Sequence, residues 1–444
     1  MGTLRARMDD AAKPAVRWAL GHVVPRTLMR VAARRGDLQG SMLFASRDGD
    51  PFPVFEEIRS RGPMYRGRFA FVTTSLPVVR EVLSSNDFRT GFEPAPARGS
   101  MGKLFNWASD TGALGPLQPP SLLVTEPPDH TRYRKLITRV FSVRAVEKLR
   151  SRTEEIAGEL LDALQTADTV DLVEAYCTLL PVTVIAEILG VPATEQGRVL
   201  AFGEAAAPSL DLGLSWRQFR RVESALAEFD GWLGTHLERL RVEPGTDLLS
   251  QLVAARDEGI GLDERELKAT AGLVLAAGFE TTVNLLGNGV AVLREHPDQL
   301  DLLAREPQHW PNAVDEILRY DPPVLLTGRS AARDTEIAGF AVRKGQLVTT
   351  VLAAANRDPE IFTDPNRFDV TRPNAKDHVS FSAGRHFCLG AALARMEGEV
   401  GLRLLFERYP DLRPLPGARR RGTRILRGYE TLPVRLGAPV EQSV

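Results

Sequence analysis

The stretch ERELKATAGLVLAAGFETTVNLLGNGVAVLREHP, beginning at Glu264, limits most what this chain can become. Its helical period is sustained for about 30 residues, where globular helices average about 11 to 12. Its middle is apolar on every side, so the helix must pass through an interior and cannot lie on a surface. A domain therefore has to be assembled around it. At its centre stand Glu280, Thr281 and Thr282, in AAGFETT. Burying a carboxylate without partners is costly, so Glu280 is expected to border a polar cavity; the competing reading has it facing solvent. The Thr281 hydroxyl can bond back to the Ala277 carbonyl four residues earlier, bending or opening the helix there.

The 444 residues could hold one large domain or two to three ordinary ones. No repeat, low-complexity run or Gly/Ser-rich linker divides them. PFPVFEEIRSRG reads as a short helix, YRGRFAFVTT as a strand and LPVVREVLSS as the next helix. From Asn86 to about Leu123 runs a long Gly-, Pro- and Ser-rich loop with several aromatics, of a length that is usually functional or mobile. From Asp129 to about Pro307 the period is helical almost throughout. Short strands follow in DTEIAGFAVRKGQLVTTVLAAANRD and in TRILRGYETLPVRLG. Much helix with small peripheral sheets predicts one mixed, mainly α domain over 41–444, behind a helical extension over 1–40.

That extension carries apolar runs broken by Arg17, His22, Pro25, Arg26 and Arg30. They fall below the roughly 20 apolar residues a spanning helix needs, and the pattern of a cleaved leader is missing. No transmembrane segment is expected there. Two readings stay open: an extra helix packed on the domain, or an arginine-bearing amphipathic helix in weak contact with a membrane surface. The formal net charge of −1 points to neither nucleic acid nor an anionic membrane as a partner of the molecule as a whole. Two cysteines exclude a disulfide framework and suit a reducing cytoplasm. Cys177 lies in DLVEAYCTLLPVTVIAEILG and reads as an inert core thiol. Cys388 differs. It stands in FSAGRHFCLG, where a turn feeds the amphipathic helix AALARMEGEVGLRLLFERYP. Free N–H groups and the helix dipole should lower its pKa and favour a thiolate, which is either a nucleophile or a metal ligand.

Three patterns occur in one order. Ala277-Gly278-Phe279-Glu280-Thr281 fits A-G-x-[D/E]-T. Glu316 and Arg319 fit E-x-x-R, with Arg372 in FDVTRP as third member. Phe381, Gly384, Cys388 and Gly390 fit F-x-x-G-x-x-x-C-x-G. No one of them is decisive, but together, from Asp129 to Gly390, the chain resembles the cytochrome P450 family in its soluble bacterial class. It looks most like actinobacterial members, whose cysteine segment reads G-R-H-F-C-L-G.

The resemblance implies the P450 fold, with the long central helix lying over heme b (iron protoporphyrin IX), and a monooxygenase using O2 as co-substrate. It makes Cys388 the axial thiolate, with Phe381 shielding the sulfur and Gly384 and Gly390 allowing the backbone a tight turn. Ser382 departs from the family's usual glycine and puts the local turn geometry in question. His130 and Arg134, four apart on one helical face, would hold the propionates with Arg329 and His386; read alone, the first two could be an exposed basic face. Glu280 and Thr281 would supply or organise protons, with Thr281 and Ala277 also beside the heme. Glu316, Arg319 and Arg372 would form a structural network behind the cysteine loop, and His378 reads as structural.

The pocket walls would come from the 86–123 loop (Phe92, Leu104, Phe105, Trp107), the lid AFGEAAAPSLDLGLSW, Ala277, and Val324, Leu325 and Leu326. Such linings favour a hydrophobic small molecule. No G-x-G-x-x-G unit is convincing, and the sequence ends just after the last strands, so electrons are expected from an external ferredoxin and its reductase. Arg132, Lys135 and Arg395 offer a docking patch for an acidic carrier. Two other classes stay open: a cysteine-nucleophile hydrolase with His386 as base, and a heme carrier or sensor, which needs Cys388 but not Glu280 and Thr281.

Overall fold

The helix Glu264–Glu295 begins where Asp263 and Glu266 cap each other. The Asp263 carboxylate accepts the Glu266 N–H at 2.8 Å, and the Glu266 carboxylate accepts the Asp263 N–H at 2.9 Å. It stops at His296, whose φ of −127° and ψ of 71° leave the helical region ahead of Pro297. The computed structural model describes residues 12–90, 107, 115–140, 146–256 and 259–440. Within them, Leu179–Ile188, Gln196–Ala206, Trp216–Val242, Trp310–Tyr320 and Ala391–Arg408 all pack on this helix. It is long and apolar enough to cross a bilayer, but here it is the axis of the main hydrophobic core. Gln196–Ala206 crosses it at Gly203, where a Cβ would lie 1.5 Å from a Phe279 ring carbon. Only glycine permits that approach.

Thr281 Oγ1 donates to the Ala277 carbonyl at 3.1 Å, as the sequence suggested, and Thr282 Oγ1 donates to Gly278 at 3.1 Å. The helix is nevertheless continuous from end to end, without the expected opening. A carbonyl has two lone pairs, so each can take a hydroxyl without giving up its main-chain bond.

The sheets are small and peripheral. The largest orders its strands Tyr65–Arg66, Ala70–Thr73, Leu347–Thr350, Thr327–Ala331 and Phe88–Arg89. Only the Ala70–Thr73 and Leu347–Thr350 pair is parallel. YRGRFAFVTT, expected as one strand, folds into a hairpin because Gly67 N–H turns back to the Ala70 carbonyl at 3.0 Å. Inside the helical half, Thr169–Asp171 pairs with Pro433–Arg435, more than 250 residues away in sequence.

Behind the cysteine turn the core contains charge. Arg319 and Glu316 both have 0% exposure, and Arg372 has 5%. Glu316 receives Arg319 Nε at 2.7 Å and Nη2 at 2.8 Å, Arg372 Nε at 3.1 Å and the Asp369 N–H at 3.0 Å. The remaining Arg319 donors reach the carbonyls of Asn356 at 3.0 Å, Pro365 at 2.8 Å and Arg367 at 3.1 Å. Arg372 takes the carbonyls of Thr363 at 2.7 Å, Asp364 at 3.2 Å and Arg367 at 2.8 Å. From there the bracing continues forward. Asn356 Nδ2 reaches Ser380 Oγ at 2.7 Å, and Ser380 Oγ donates to the Leu318 carbonyl at 2.6 Å. His378 joins Asp315 at 3.1 Å and accepts the Ser380 N–H at 3.1 Å. It is a brace.

Five guanidinium donors with five acceptors leave no role for an ammonium of three donors. Arg319→Lys should lose roughly 3 kcal/mol or more, as expected for a buried pair left partly unmet. Denaturant unfolding of the purified variant measures it, and a loss below 1 kcal/mol would show that the network does not carry the fold.

Candidate active site

Two elements combine buried positions with an accessible face. On the central helix, Phe279, Glu280, Thr282 and Val283 are buried, while Ala277 is exposed and Thr281 half-buried. In the turn before Ala391–Arg408, Phe387 and Cys388 are exposed, although Phe381 and Ala391 on either side are buried. Burial is also the largest influence on the Cys388 thiol. A side chain that is accessible and yet desolvated lines an interior space.

The turn itself is tightly held. Cys388 N–H donates to the Phe381 carbonyl at 2.9 Å, and the Phe381 ring lies under the Arg395 guanidinium at 4.6 Å. Gly384 has φ +66°, and a Cβ there would meet the Leu83 carbonyl at 2.6 Å. Glycine is required at that position. Gly390 is different from expectation: its φ is −85° and a Cβ would meet no protein atom within 4 Å, so the turn does not demand it. Ser382 has φ +64°, which explains why glycine suits this position and costs serine roughly 1 kcal/mol. Its buried hydroxyl has no hydrogen-bond partner.

The expected lowering of the Cys388 pKa does not occur. Burial pushes it up, outweighing the Gly390 N–H, Arg134 and Arg395, which act the other way. The protein alone therefore keeps the thiol protonated, because the loss of water around sulfur exceeds what one N–H and two cations at a distance return. His386, the base a hydrolase would need, faces elsewhere. Its Nε2 lies 3.4 Å from both Thr90 Oγ1 and Glu126 Oε1, and its ring packs on His130 with centroids 4.4 Å apart.

Beside the turn, a cleft of about 690 Å³ is lined by His130, Thr131, Arg134, Lys135, Thr138, Gly384 and Arg385. His130 and Arg134 come from the helix Asp129–Val140. His130 is 3% exposed, and its Nε2 is buried without a partner. Burial and the neighbouring His386 and Arg134 lower its pKa to about 4. Arg329, from the strand Thr327–Ala331, is 5% exposed, and burial lowers its pKa to about 10. The carboxylate among these groups is Glu126. Burial opposes its ionisation, but bonds from His386, Thr90 and Arg385 prevail and hold it at about 2. Glu126 and Arg385 were not singled out in the sequence, although Glu126 lies four residues before His130. Among the described residues, Glu126 is the carboxylate that bonds His386 and Arg385 and acts on His130 and Arg329, and a basic surround of this kind fits the two carboxylates of a porphyrin.

Glu280 is 4% exposed and does not face solvent. Its Oε1 lies 3.2 Å from Arg421 Nη1, on the hairpin of Arg419–Arg420 and Tyr429–Thr431. Burial raises its pKa, Arg421 pulls it down, and Glu204 of the lid raises it again. The sequence offered no signal for Arg421, 141 positions further along. A second carboxyl, Glu397, is 1% exposed and pushed well above the ordinary range by burial, with Thr282 as its partner.

Among the expected substrate contacts, Leu325 needs correction. It is 1% exposed and packs in a core cluster with Phe52, Phe55 and Val72. Val324 and Leu326 are half-buried; Leu326 packs against the same cluster as Leu325, and Val324 against the cluster of Leu76, Val79 and Leu83. Of the loop residues expected in the wall, Trp107 is half-buried, and Phe92, Leu104 and Phe105 lie outside the described residues. The docking cations also differ from expectation. Arg132 pairs with Glu266 at 3.1 Å and Arg395 with Asp315 at 2.7 Å, while Lys135 is exposed at the cleft.

The accessible thiol, the acid–alcohol pair of the central helix and the basic groups around Glu126 are the features with which known proteins can be compared. The profile described as "Cytochrome P450" matches residues 207–417. A Mycobacterium tuberculosis protein with the provisional name cytochrome P450 140 is 50% identical over 96% of this chain and 98% of its own. The 6-deoxyerythronolide B hydroxylase of Saccharopolyspora erythraea is 44% identical over 70% of this chain and 77% of its own. The ligand-free crystal structure of Mycobacterium smegmatis CYP164A2 superposes with a TM-score of 0.79 at 32% identity, over 90% of this chain and 99% of that one. The chain belongs to the cytochrome P450 family and is a monooxygenase of it, which brings a heme-iron cofactor and the use of O2.

Arg421 pulls the Glu280 pKa down against burial, so removing it moves that pKa further up. In Arg421→Met the infrared band of a protonated carboxyl should persist to higher pH than in the parent protein, and should vanish in Glu280→Gln. An unchanged titration would mean that Arg421 does not set the charge on Glu280.

Proposed function

We propose that Cys388 binds the heme iron and that the enzyme hydroxylates an unactivated carbon of a sizeable hydrophobic molecule. The observation that carries this reading is the Cys388 thiol, accessible yet desolvated, with Arg134 acting on it; Arg134 shares a helix with His130, whose Nε2 is buried and unpartnered. His130, Arg134, Arg329 and His386 would hold the propionates, with Arg385 joining them; arginine suits this because its planar fork grips a carboxylate by two bonds. Phe381, Ser382, Gly384 and Gly390 would form the bed under the sulfur, the last leaving open room beside its Cα. Heme, when bound, supplies an iron that activates O2 for insertion of one oxygen atom into a C–H bond.

The chain's own residues then manage protons and access. Thr281 Oγ1 gives its proton to the Ala277 carbonyl, so its lone pairs remain to accept a hydrogen bond from a group in the space above Cys388. Glu280, its pKa raised by burial and drawn down by its ion pair to Arg421, would pass protons within the helix's polar centre. Ala277, Trp107, Val324 and Leu326 would form an apolar wall that excludes water. A polyketide, fatty acyl chain or terpenoid fits such a wall, and the similarity to a 6-deoxyerythronolide B hydroxylase supports the first. Electrons would come from an external ferredoxin and reductase, since the sequence carries no G-x-G-x-x-G unit. Docking would then rest less on Arg132 and Arg395, which pair internally.

The reduced, carbon-monoxide-bound spectrum tests the ligand. The parent should show the strongly red-shifted Soret band of thiolate-bound heme, and Cys388→Ser should lose that band and turnover together. Retention of both in the variant sinks the assignment.

Substrate class is read on the same heme-loaded protein. Titration with bulky lipophilic compounds should convert the Soret band from low to high spin as water leaves the iron. If only small charged compounds do so, the apolar wall has been misread.

A further inference from the structure

The helix Val24–Arg34 exposes Val24, Leu28 and Val31 by 45%, 48% and 41%. They recur at intervals of four and three, so they form one outward stripe. The opposite face packs on Leu38–Asp48 and buries Ala32. Arg30, Arg34 and Arg35 are exposed around the stripe, at about 100° per residue on its flank and at its end. No acid interrupts residues 24–36. Asp37, the next one, accepts bonds from Gln39 N, Arg68 N and Tyr65 OH at 3.0, 2.8 and 3.2 Å.

This helix does not stand alone. Arg17 pairs with Glu223, and Trp18 Nε1 donates to the Leu214 carbonyl at 2.9 Å. His22 Nδ1 accepts the Gly213 N–H at 3.2 Å, and Arg26 donates to the Gly213 carbonyl at 3.4 Å. The segment so fastened exposes two more large apolar side chains, Leu212 by 44% and Trp216 by 40%. Trp216 meets Trp18 edge-on at 5.5 Å. Thus five of the chain's exposed large apolar residues belong to two segments tied together, with arginines around them.

We propose that this face docks on an anionic phospholipid bilayer. A single convex helix offers no pocket for the anchor residue that a protein interface is built on, whereas a lipid interface accepts a convex apolar stripe with arginines reaching the headgroups. Tryptophan is at home at that depth. The whole molecule has a net charge of −1, so attraction must be local and salt-sensitive. Docking would also set residues 211–216 against the layer where a lipophilic substrate collects; that consequence rests on the function proposed above, and the docking does not.

The full heme-loaded chain is sedimented with vesicles of phosphatidylglycerol and phosphatidylcholine, and with phosphatidylcholine alone. Binding should require the anionic lipid and weaken with salt. Arg34→Gln with Arg35→Gln should lower partitioning about 25-fold, roughly five-fold for each arginine, and Leu28→Asp with Val31→Asp should abolish it. All four positions are exposed, and unchanged absorption and melting curves confirm intact protein; should the aspartates disturb folding, the glutamine pair decides. The proposal is overturned if anionic vesicles do not bind the parent, or if both double variants bind as it does. It is overturned equally if the parent is a dimer that the aspartates dissociate, which would make a second copy the cover of this face.

Discussion

An arginine with no exposed surface is tolerated here because each of its five N–H groups has an acceptor. Arg319 is bound by Glu316 and by three carbonyls of the 356–367 segment, and Arg372 is tied to the same carboxylate. Isolated, either charge would be very costly to bury. Paired, they fix one geometry for a segment that has almost no regular structure of its own. Asn356 then hands that geometry to Val379 and Ser380, immediately before the cysteine turn. The position of the thiol thus depends on electrostatics within the fold more than on the turn's own preferences, which include a strained Ser382 and an undemanding Gly390.

The contrast with the active site is instructive. Behind the turn Glu316, Arg319 and Arg372 meet one another's charges; in front of it, a basic group is left over. His130 Nε2 is buried without a hydrogen bond, burial holds Arg329 below its usual pKa, and among the described residues Glu126 is the carboxylate bonded to His386 and Arg385. Buried groups that lack partners are the exception in native proteins. His130 Nε2 is one of them, it lines the cleft with Arg134 and Arg385, and a porphyrin carboxylate would satisfy it. Cys388 is a separate case: burial of the sulfur raises its pKa and outweighs the Gly390 N–H, Arg134 and Arg395, which act the other way.

Much of this was legible in the residues. The central helix was visible from its length and all-round apolarity, and the glycine, cysteine and charged positions of three motifs marked the site through family resemblance. Bonds with a fixed local offset were legible too: Thr281 to Ala277, Glu316 to Arg319. What escaped was non-local. Arg421 reaches Glu280 from a C-terminal hairpin, Thr169–Asp171 becomes a strand only beside Pro433–Arg435, and Glu126 gains meaning from His386 and Arg385. A helix-dipole argument also misjudged Cys388, because it counted the nearby N–H groups and could not count the water removed.

By itself the sequence determined the class of fold, the order of its elements and the family chemistry, since periodicity, caps and motif spacing act over a few residues. Tertiary structure alone decided the charge state of the thiol, the partner of Glu280, the burial of Leu325 and which face of the first long helix stays outside. Each of these depends on desolvation and on the sum of fields from distant segments, quantities that exist only once the chain has brought those segments together.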